Sequence, residues 1–289
     1  MSLKNPLLFC AYAICSACVP KRGNDENTRV KYADSRDKVT VCRNPEEIPQ
    51  NCVLQLKNYT LRQNSSPTQT KQIDALFEMD DGIQQPINGK TTTAKTAREE
   101  KLKSTKSMML NSKVRLADVL SESEGKSLIL YSDLGYRIAN GALRGTQDYK
   151  QSQGLVLSMA SALAKLRPFW GQTSVSVIRW EVIQNAKLPA LLETYATGSV
   201  ILERGFLSTS INAGFGENMP LPPDVKGGKA VIFLYKILSK SGVSIEKLSI
   251  FGEQEREILF SPGTEFKVLS GPQAIKDQLI FEVSMEEIM

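Results

Sequence analysis

In Glu253-Gln254-Glu255-Arg256-Glu257-Ile258-Leu259-Phe260-Ser261-Pro262-Gly263-Thr264-Glu265-Phe266-Lys267-Val268-Leu269, a carboxylate run gives way to two short apolar runs. Ile258-Leu259-Phe260 and Phe266-Lys267-Val268-Leu269 are strand-sized and rich in β-formers, and Pro262-Gly263 between them is turn chemistry, so the pattern predicts a hairpin. Upstream, Ala230 through Tyr235 is a continuous apolar run, as expected of a buried strand, and downstream Leu279-Ile280-Phe281-Glu282-Val283 ends the sheet. Val175, Val177 and Ile178 give a further strand through Trp180, and Val200-Ile201-Leu202 and Phe206-Leu207 read as strands. Leu188 to Tyr195 reads as a helix with Gly198 beyond its end.

Before Val175 the period lengthens to that of helices. Val114, Leu116, Val119 and Leu120 suggest a first helix ending at Gly125; Leu128 through Leu143 suggests a second, stopped by Gly145. Leu155, Val156, Met159, Leu163 and Leu166 form one apolar face of a third, closed by Pro168. Helices first and many short strands after them indicate an α+β domain over residues 112–289.

The preceding residues differ in character. Lys4 followed by an apolar run from Pro6 to Ile14, too short to span a bilayer, reads as a signal-peptide core over residues 1–18. Cys15-Ser16-Ala17-Cys18 resembles a lipoprotein box, which implies a lipid on Cys18 and membrane anchoring through it, although Ala11-Tyr12-Ala13 offers a competing cleavage site. Either way the chain is expected to leave a bacterium, secreted or held at its surface. Residues 19–111 are rich in Asn, Gln, Thr, Ser and Lys and are expected to be largely a flexible extension. Cys42 and Cys52 are spaced to pair across a short loop in an oxidising compartment; spacing leaves the pairing open.

Composition narrows the chemistry. The 289 residues are 41% hydrophobic and 23% charged, enough apolar material for a core, and the net charge of +5 is too mild, without a basic stripe, to call for nucleic acid. The absence of histidine excludes Ser-His-Asp and Cys-His triads and His-ligated zinc. All five cysteines precede residue 53, so no thiol nucleophile serves the main domain. Carboxylates, Arg, Ser, Thr, Tyr and Lys remain.

Three groups of such residues lie at strand ends: Arg179-Trp180, then Gly205-Phe206-Leu207-Ser208-Thr209-Ser210, then Glu255-Arg256-Glu257. Their order resembles the arginine-specific mono-ADP-ribosyltransferases, with an Arg at a strand end, a Ser-Thr-Ser strand and Glu-x-Glu before an apolar strand. Asn140-Gly141-Ala142-Leu143-Arg144-Gly145 is similar to the helical lead-in of that family, and Glu257 through Val268 to its closing block. Two Glu-x-Glu registers exist; because the second Glu of the family directly precedes the apolar strand, Glu257 takes its place and Glu255 the partner place. Trp180 stands where the family usually has Gly, and Arg144-Gly145-Thr146 is locally more typical, but it lies too far upstream, before the third helix.

The resemblance implies an ADP-ribosyltransferase-like fold, helices followed by two packed, mostly antiparallel sheets around an NAD cleft. It implies NAD as co-substrate, no metal, and a target protein bearing an acceptor arginine. Glu257 is the expected catalytic carboxylate, held by Ser208; a carboxylate beside the sugar stabilises the positive charge that develops as the nicotinamide bond breaks. Arg179 is expected to hold the pyrophosphate through paired N–H donors. Glu255, two residues from Glu257 and on the same side of an extended chain, would orient the acceptor guanidinium. Trp180, Thr209 and Ser210 complete the expected cofactor contacts, Phe251 is a candidate target contact, and Asn212-Ala213-Gly214-Phe215-Gly216 a candidate flap over NAD. An NAD glycohydrolase of the same fold and an inactive surface lipoprotein that only binds a partner are the alternatives.

Overall fold

A computed structural model of the protein describes residues 29–32, 41–42, 53–54, 56, 67–79, 84–87, 90–111, 119–166, 173–212, 221–275 and 279–289. The expected signal segment, Cys10, Cys15, Cys18, Cys52 and the flap residues 213–216 lie outside the described residues. No helix among the described residues is long and apolar enough to cross a membrane.

The helices are α1 (Pro67–Phe77), α2 (Ala94–Asn111), α3 (Glu122–Leu130), α4 (Tyr136–Leu143), α5 (Tyr149–Lys165), α6 (Leu188–Thr194) and α7 (Pro223–Lys226). The strands are β1 (Arg29–Tyr32), β2 (Val41–Cys42), β3 (Val53–Leu54), β4 (Gln84–Ile87), β5 (Lys90–Thr93), β6 (Val175–Gln184), β7 (Val200–Glu203), β8 (Leu207–Ser210), β9 (Ala230–Ser239), β10 (Val243–Ser244), β11 (Glu257–Phe260), β12 (Glu265–Ile275) and β13 (Ile280–Ile288). Nine strands form one sheet in the order β1-β7-β12-β13-β9-β6-β8-β11-β10, antiparallel except for β13 beside β9. The two halves, β1 to β6 and β8-β11-β10, meet through a single pair, Ile178 opposite Ser210. The two-sheet expectation is thus met by two leaves of one sheet.

Alternation along β8 and β11 makes the small leaf two-faced. Leu207, Ile258 and Phe260 pack with Phe233, Ile237, Phe266, Val268 and Val283 of the large leaf. Leu259, with neighbouring Phe206, packs against Leu128, Leu155, Met159 and the other apolar residues of α3, α4 and α5. Phe260 and Phe266 meet edge to face at 5.3 Å and are fully buried; each contributes about 2–3 kcal/mol by burial.

The runs that predicted a hairpin form none. β11 pairs with β8 and β10, whereas β12 pairs with β7 and β13. The turn between them carries the chain from one leaf to the other. Its polar groups are bound outside the two strands: Gly263 N–H donates to the Glu203 carbonyl, Glu203 N–H to the Thr264 carbonyl, and Leu56 N–H to the Pro262 carbonyl. Gly263 takes φ 81°, open to glycine without strain.

Gly125 does not end a helix. Ser121 caps α3, accepting from Glu124 N–H while the Glu124 carboxylate accepts from Ser121 N–H, and Gly125 sits in the first turn. The helix then runs on through a π segment, Tyr131–Gly135, in which Asp133 departs from helical geometry (φ −119°, ψ −114°). Such an inserted turn aims side chains that a regular helix would point elsewhere.

The segment expected to be tether contains packed structure. α1 buries Ile73 and Phe77, and α2 buries Ala94, Ala97, Arg98 and Thr105. Arg98 is fully buried. It pairs with Asp133 of the π segment and donates to the carbonyls of Phe77 (3.2 and 3.1 Å) and Met79. The N-terminal helices are therefore joined to the core by a buried, hydrogen-bonded ion pair.

Candidate active site

The parting of β6 from β8 brings three expected residues together. Arg179 lies one residue beyond the Ile178–Ser210 pair, where the strands diverge, and its Nη1 donates to the Ser208 carbonyl at 2.9 Å. Glu257 opens β11 opposite Ser210, and Leu259 lies opposite Ser208. Alternation therefore puts Ser208, Ser210 and Glu257 on one face. The Ser208 and Ser249 hydroxyls hydrogen-bond to the Glu257 carboxylate, and the Arg179 charge acts on it.

Both carboxylates are nearly out of water, Glu255 at 5% and Glu257 at 3% exposure. Burial pushes Glu257 up to about 7, against the pull of Ser208, Ser249 and Arg179. Burial, and then the neighbouring Glu257, hold Glu255 well above the ordinary carboxylate range. Each keeps one oxygen without a hydrogen-bond partner, Oε1 of Glu255 and Oε2 of Glu257. Two such groups side by side favour whatever brings positive charge to them: an electron-deficient sugar carbon, a guanidinium, or a proton.

Two residues that the sequence did not mark as functional, Tyr131 and Asn140, hold the turn into β8. The Asn140 amide grips the Phe206 backbone from both sides, accepting from its N–H at 2.8 Å and donating to its carbonyl at 3.0 Å. Tyr131, buried in the π segment, donates to the same carbonyl at 3.2 Å; burial and the nearby Glu257 raise its phenol pKa. Gly205 is required here, because a Cβ on it would sit 2.6 Å from Asn140 Oδ1. Arg144 pairs with buried Glu203 (3.3 Å), whose Oε1 also accepts from Gly205 N–H. Arg144, the rejected alternative to Arg179, thus braces the turn into β8. Asn140 and Arg144 stand in the helical lead-in already noted, but nothing in its spacing specifies a backbone clamp.

Several expected contacts fall elsewhere. Trp180 packs with Ile178, Val182, Ile232 and Leu234, away from the guanidinium of its neighbour Arg179. Successive strand residues face opposite ways, so Trp180 and Arg179 point to opposite faces of β6. Thr209 is likewise turned from Ser208, and its buried hydroxyl donates to the Ile258 carbonyl at 2.9 Å. The Ser210 hydroxyl donates to the Glu255 carbonyl (2.6 Å) and accepts from Asn212 N–H, so it fixes the loop before β11. Phe251 is 4% exposed within the helix-side core, not set out toward a target. Glu255 and Glu257 are not related by extended chain: Arg256 between them takes φ 45°, and the turn brings the carboxylates into mutual electrostatic contact.

The chain is similar to solved structures. The type III effector XopAI of Xanthomonas axonopodis pv. citri superposes with a TM-score of 0.55 at 18% identity, over 78% of this chain and 89% of that one. The Vis toxin, an ADP-ribosyltransferase from Vibrio splendidus, gives 0.45 at 20%, over 67% and 86%. Exoenzyme S of Pseudomonas aeruginosa, solved with human 14-3-3 protein beta and carba-NAD, gives 0.47 at 20%, over 67% and 88%. No curated protein sequence matches the chain. Residues 94–286 match the family described as ADP-ribosyltransferase exoenzyme, and the span takes in Arg179, Ser208, Glu255 and Glu257. With that match covering most of its length, the chain belongs to the ADP-ribosyltransferase exoenzyme family, whose members use NAD.

Proposed function

We propose that this chain transfers ADP-ribose from NAD to an arginine of a target protein, with Glu257 as the catalytic carboxylate. The observation that carries the reading is the pair of neighbouring buried carboxylates, each with an unbonded oxygen, beside the Arg179 guanidinium. The residues suit NAD: a guanidinium matches the pyrophosphate through paired donors, and Glu257 matches the ribose hydroxyl and the positive charge that develops on that sugar. Ser208 and Ser249 hold the Glu257 carboxylate in place.

In the reaction the bond between ribose carbon and nicotinamide nitrogen breaks, and its electron pair leaves with nicotinamide. A guanidine nitrogen of the acceptor forms the new bond to that carbon and gives up a proton. Glu255 orients this guanidinium and, once ionised, takes the proton. A guanidinium entering beside Glu255 favours its charged form, which burial alone disfavours.

Hydrolysis of NAD by water is the second reading, and the 5% exposure of Glu255 favours it, since water needs no carboxylate on the acceptor side. Glu255→Gln separates the two. It abolishes ADP-ribosyl transfer to lysate proteins and to the small guanidine agmatine, while nicotinamide release without acceptor stays within about threefold of wild type, a change under 1 kcal/mol. Equal loss of both activities overturns the division of roles. Export with a lipid on Cys18 belongs to the same proposal and rests on the N-terminal sequence; radiolabelled palmitate incorporated by the wild type and not by Cys18→Ser checks it.

A further inference from the structure

α2 stands outside the active site yet touches two pieces of the site's support from one face. Arg98 holds Asp133 of the π segment, and the adjacent Ser132 hydroxyl accepts the N–H of Ile250 at 3.0 Å, at the start of the run leading to Glu255. Lys101 is three residues further along and so lies on the same side of the helix. Its Nζ is 3.9 Å from where a Cβ would stand on Gly252, in the middle of that run. Burial lowers the Lys101 pKa, and Glu246 opposes the shift, so the ammonium is partly desolvated with Glu246 as its counter-charge. The same carboxylate reaches Arg256 Nε at 3.7 Å.

Arg256 is the described non-glycine residue with positive φ, a backbone that costs a non-glycine residue free energy and persists only where its surroundings hold it. Its N–H donates to the Gly252 carbonyl at 3.0 Å. This left-handed residue sets the separation of Glu255 from Glu257. α2 thus meets the loop where Lys101 Nζ stands beside Gly252, and the Glu246 charge that acts on Lys101 also pairs with Arg256, the residue between the two carboxylates.

We propose that Lys101 is a positioning residue for acceptor transfer: through Glu246 it holds loop 246–256, with Arg256 in its left-handed turn and Glu255 at its station. The inference rests on the reading that Glu255 serves the acceptor. Lys101 touches neither Arg179 nor Ser208 and acts only through the loop.

The test uses the full chain carrying Lys101→Gln, Lys101→Arg or Glu246→Gln, with Glu255→Gln as control. Amide hydrogen exchange over residues 246–256, nicotinamide release without acceptor, and transfer to agmatine are measured on each. Lys101→Gln and Glu246→Gln speed exchange in the loop and lower the ratio of transfer to hydrolysis about three- to fivefold, the scale of a half-exposed charge pair. Lys101→Arg retains both properties. A variant that merely weakened the fold would lower both activities together and leave their ratio alone. Unchanged exchange over 246–256 in Lys101→Gln overturns the inference whatever the activities do. Faster exchange with an unchanged ratio also overturns it, provided Glu255→Gln loses transfer selectively. If Glu255→Gln loses both activities equally, the acceptor reading fails instead, and exchange alone decides whether Lys101 holds the loop.

Discussion

Replacing Glu257 by Gln removes a buried charge, and the consequence for stability depends on pH in a defined direction. The Glu257 pKa is raised from 4.5 to about 7 in the folded chain. A raised carboxyl favours folding relative to the ionised reference below its unfolded value, and that advantage is lost as pH rises through the folded value. Above about pH 7 the folded protein therefore carries an ionised carboxylate it would hold more readily as the acid. A displacement of this size corresponds to about 3 kcal/mol at 1.36 kcal/mol per unit, an upper figure because Glu255 shares the same burial. Glu257→Gln keeps the shape and cannot ionise. At pH 8.5 and without NAD, it should raise the melting temperature by up to about 6–12 °C, at roughly 2–4 °C per kcal/mol for a domain of this size. Below about pH 4.5, the unfolded value, the gain should vanish, with a small loss from the rearranged Ser208 and Ser249 hydrogen bonds. Thermal unfolding of both proteins from pH 4 to 9 tests this. A difference that is flat with pH, or that favours the wild type at high pH, would show that Glu257 ionises as an ordinary surface carboxylate and remove the electrostatic basis of its assignment.

Five further outcomes are expected. Arg179→Lys keeps the charge but loses the paired donors, so the KM for NAD rises about tenfold or more while the fold persists, checked by kinetics alongside circular dichroism. Asn140→Ala leaves the buried N–H and carbonyl of Phe206 without their amide partner and lowers stability by about 2–4 kcal/mol in urea unfolding; a loss under 1 kcal/mol would mean that water replaces the clamp. Gly205→Ala drives a methyl into Asn140 Oδ1 and costs about 1–3 kcal/mol, with reduced nicotinamide release. Arg98→Ala strands the buried Asp133 charge and costs about 3–5 kcal/mol, whereas Glu253→Gln, at an exposed position, leaves both stability and activity unchanged.

Strand content was legible wherever apolar residues run together, as in Ala230 through Tyr235 and Ile258 through Phe260. Pairing was not: Ser261 through Thr264 carries hairpin chemistry, but its backbone groups are bound by Glu203 and Leu56, and no local pattern records partners so far away. Arg179, Ser208 and Glu257 could be picked out because they occur in a fixed order at strand ends, and the structure brings them together. Phe251 and Trp180 illustrate the opposite, since an aromatic residue beside a site reads the same from sequence whether it faces ligand or core. The α2 helix was hidden because its inner stripe, Ala94, Ala97, Arg98, Lys101, Leu102 and Thr105, is mostly small or charged. A buried guanidinium satisfied by a carboxylate and main-chain carbonyls leaves no hydrophobic period to detect.

The parting of β6 from β8 has a consequence for how substitutions in this crevice should be interpreted. Where a ladder opens, the interior of a sheet gains two inner margins, rows of main-chain donors and acceptors normally found only at a rim. The Ser208 carbonyl already accepts a side-chain guanidinium there. A polar guest entering the gap can meet peptide groups as well as side chains, and peptide groups survive every exchange of residue except proline. Residual affinity after removal of any one side chain is then the signature of a crevice lined partly by main chain, and it does not argue that the side chain was misassigned.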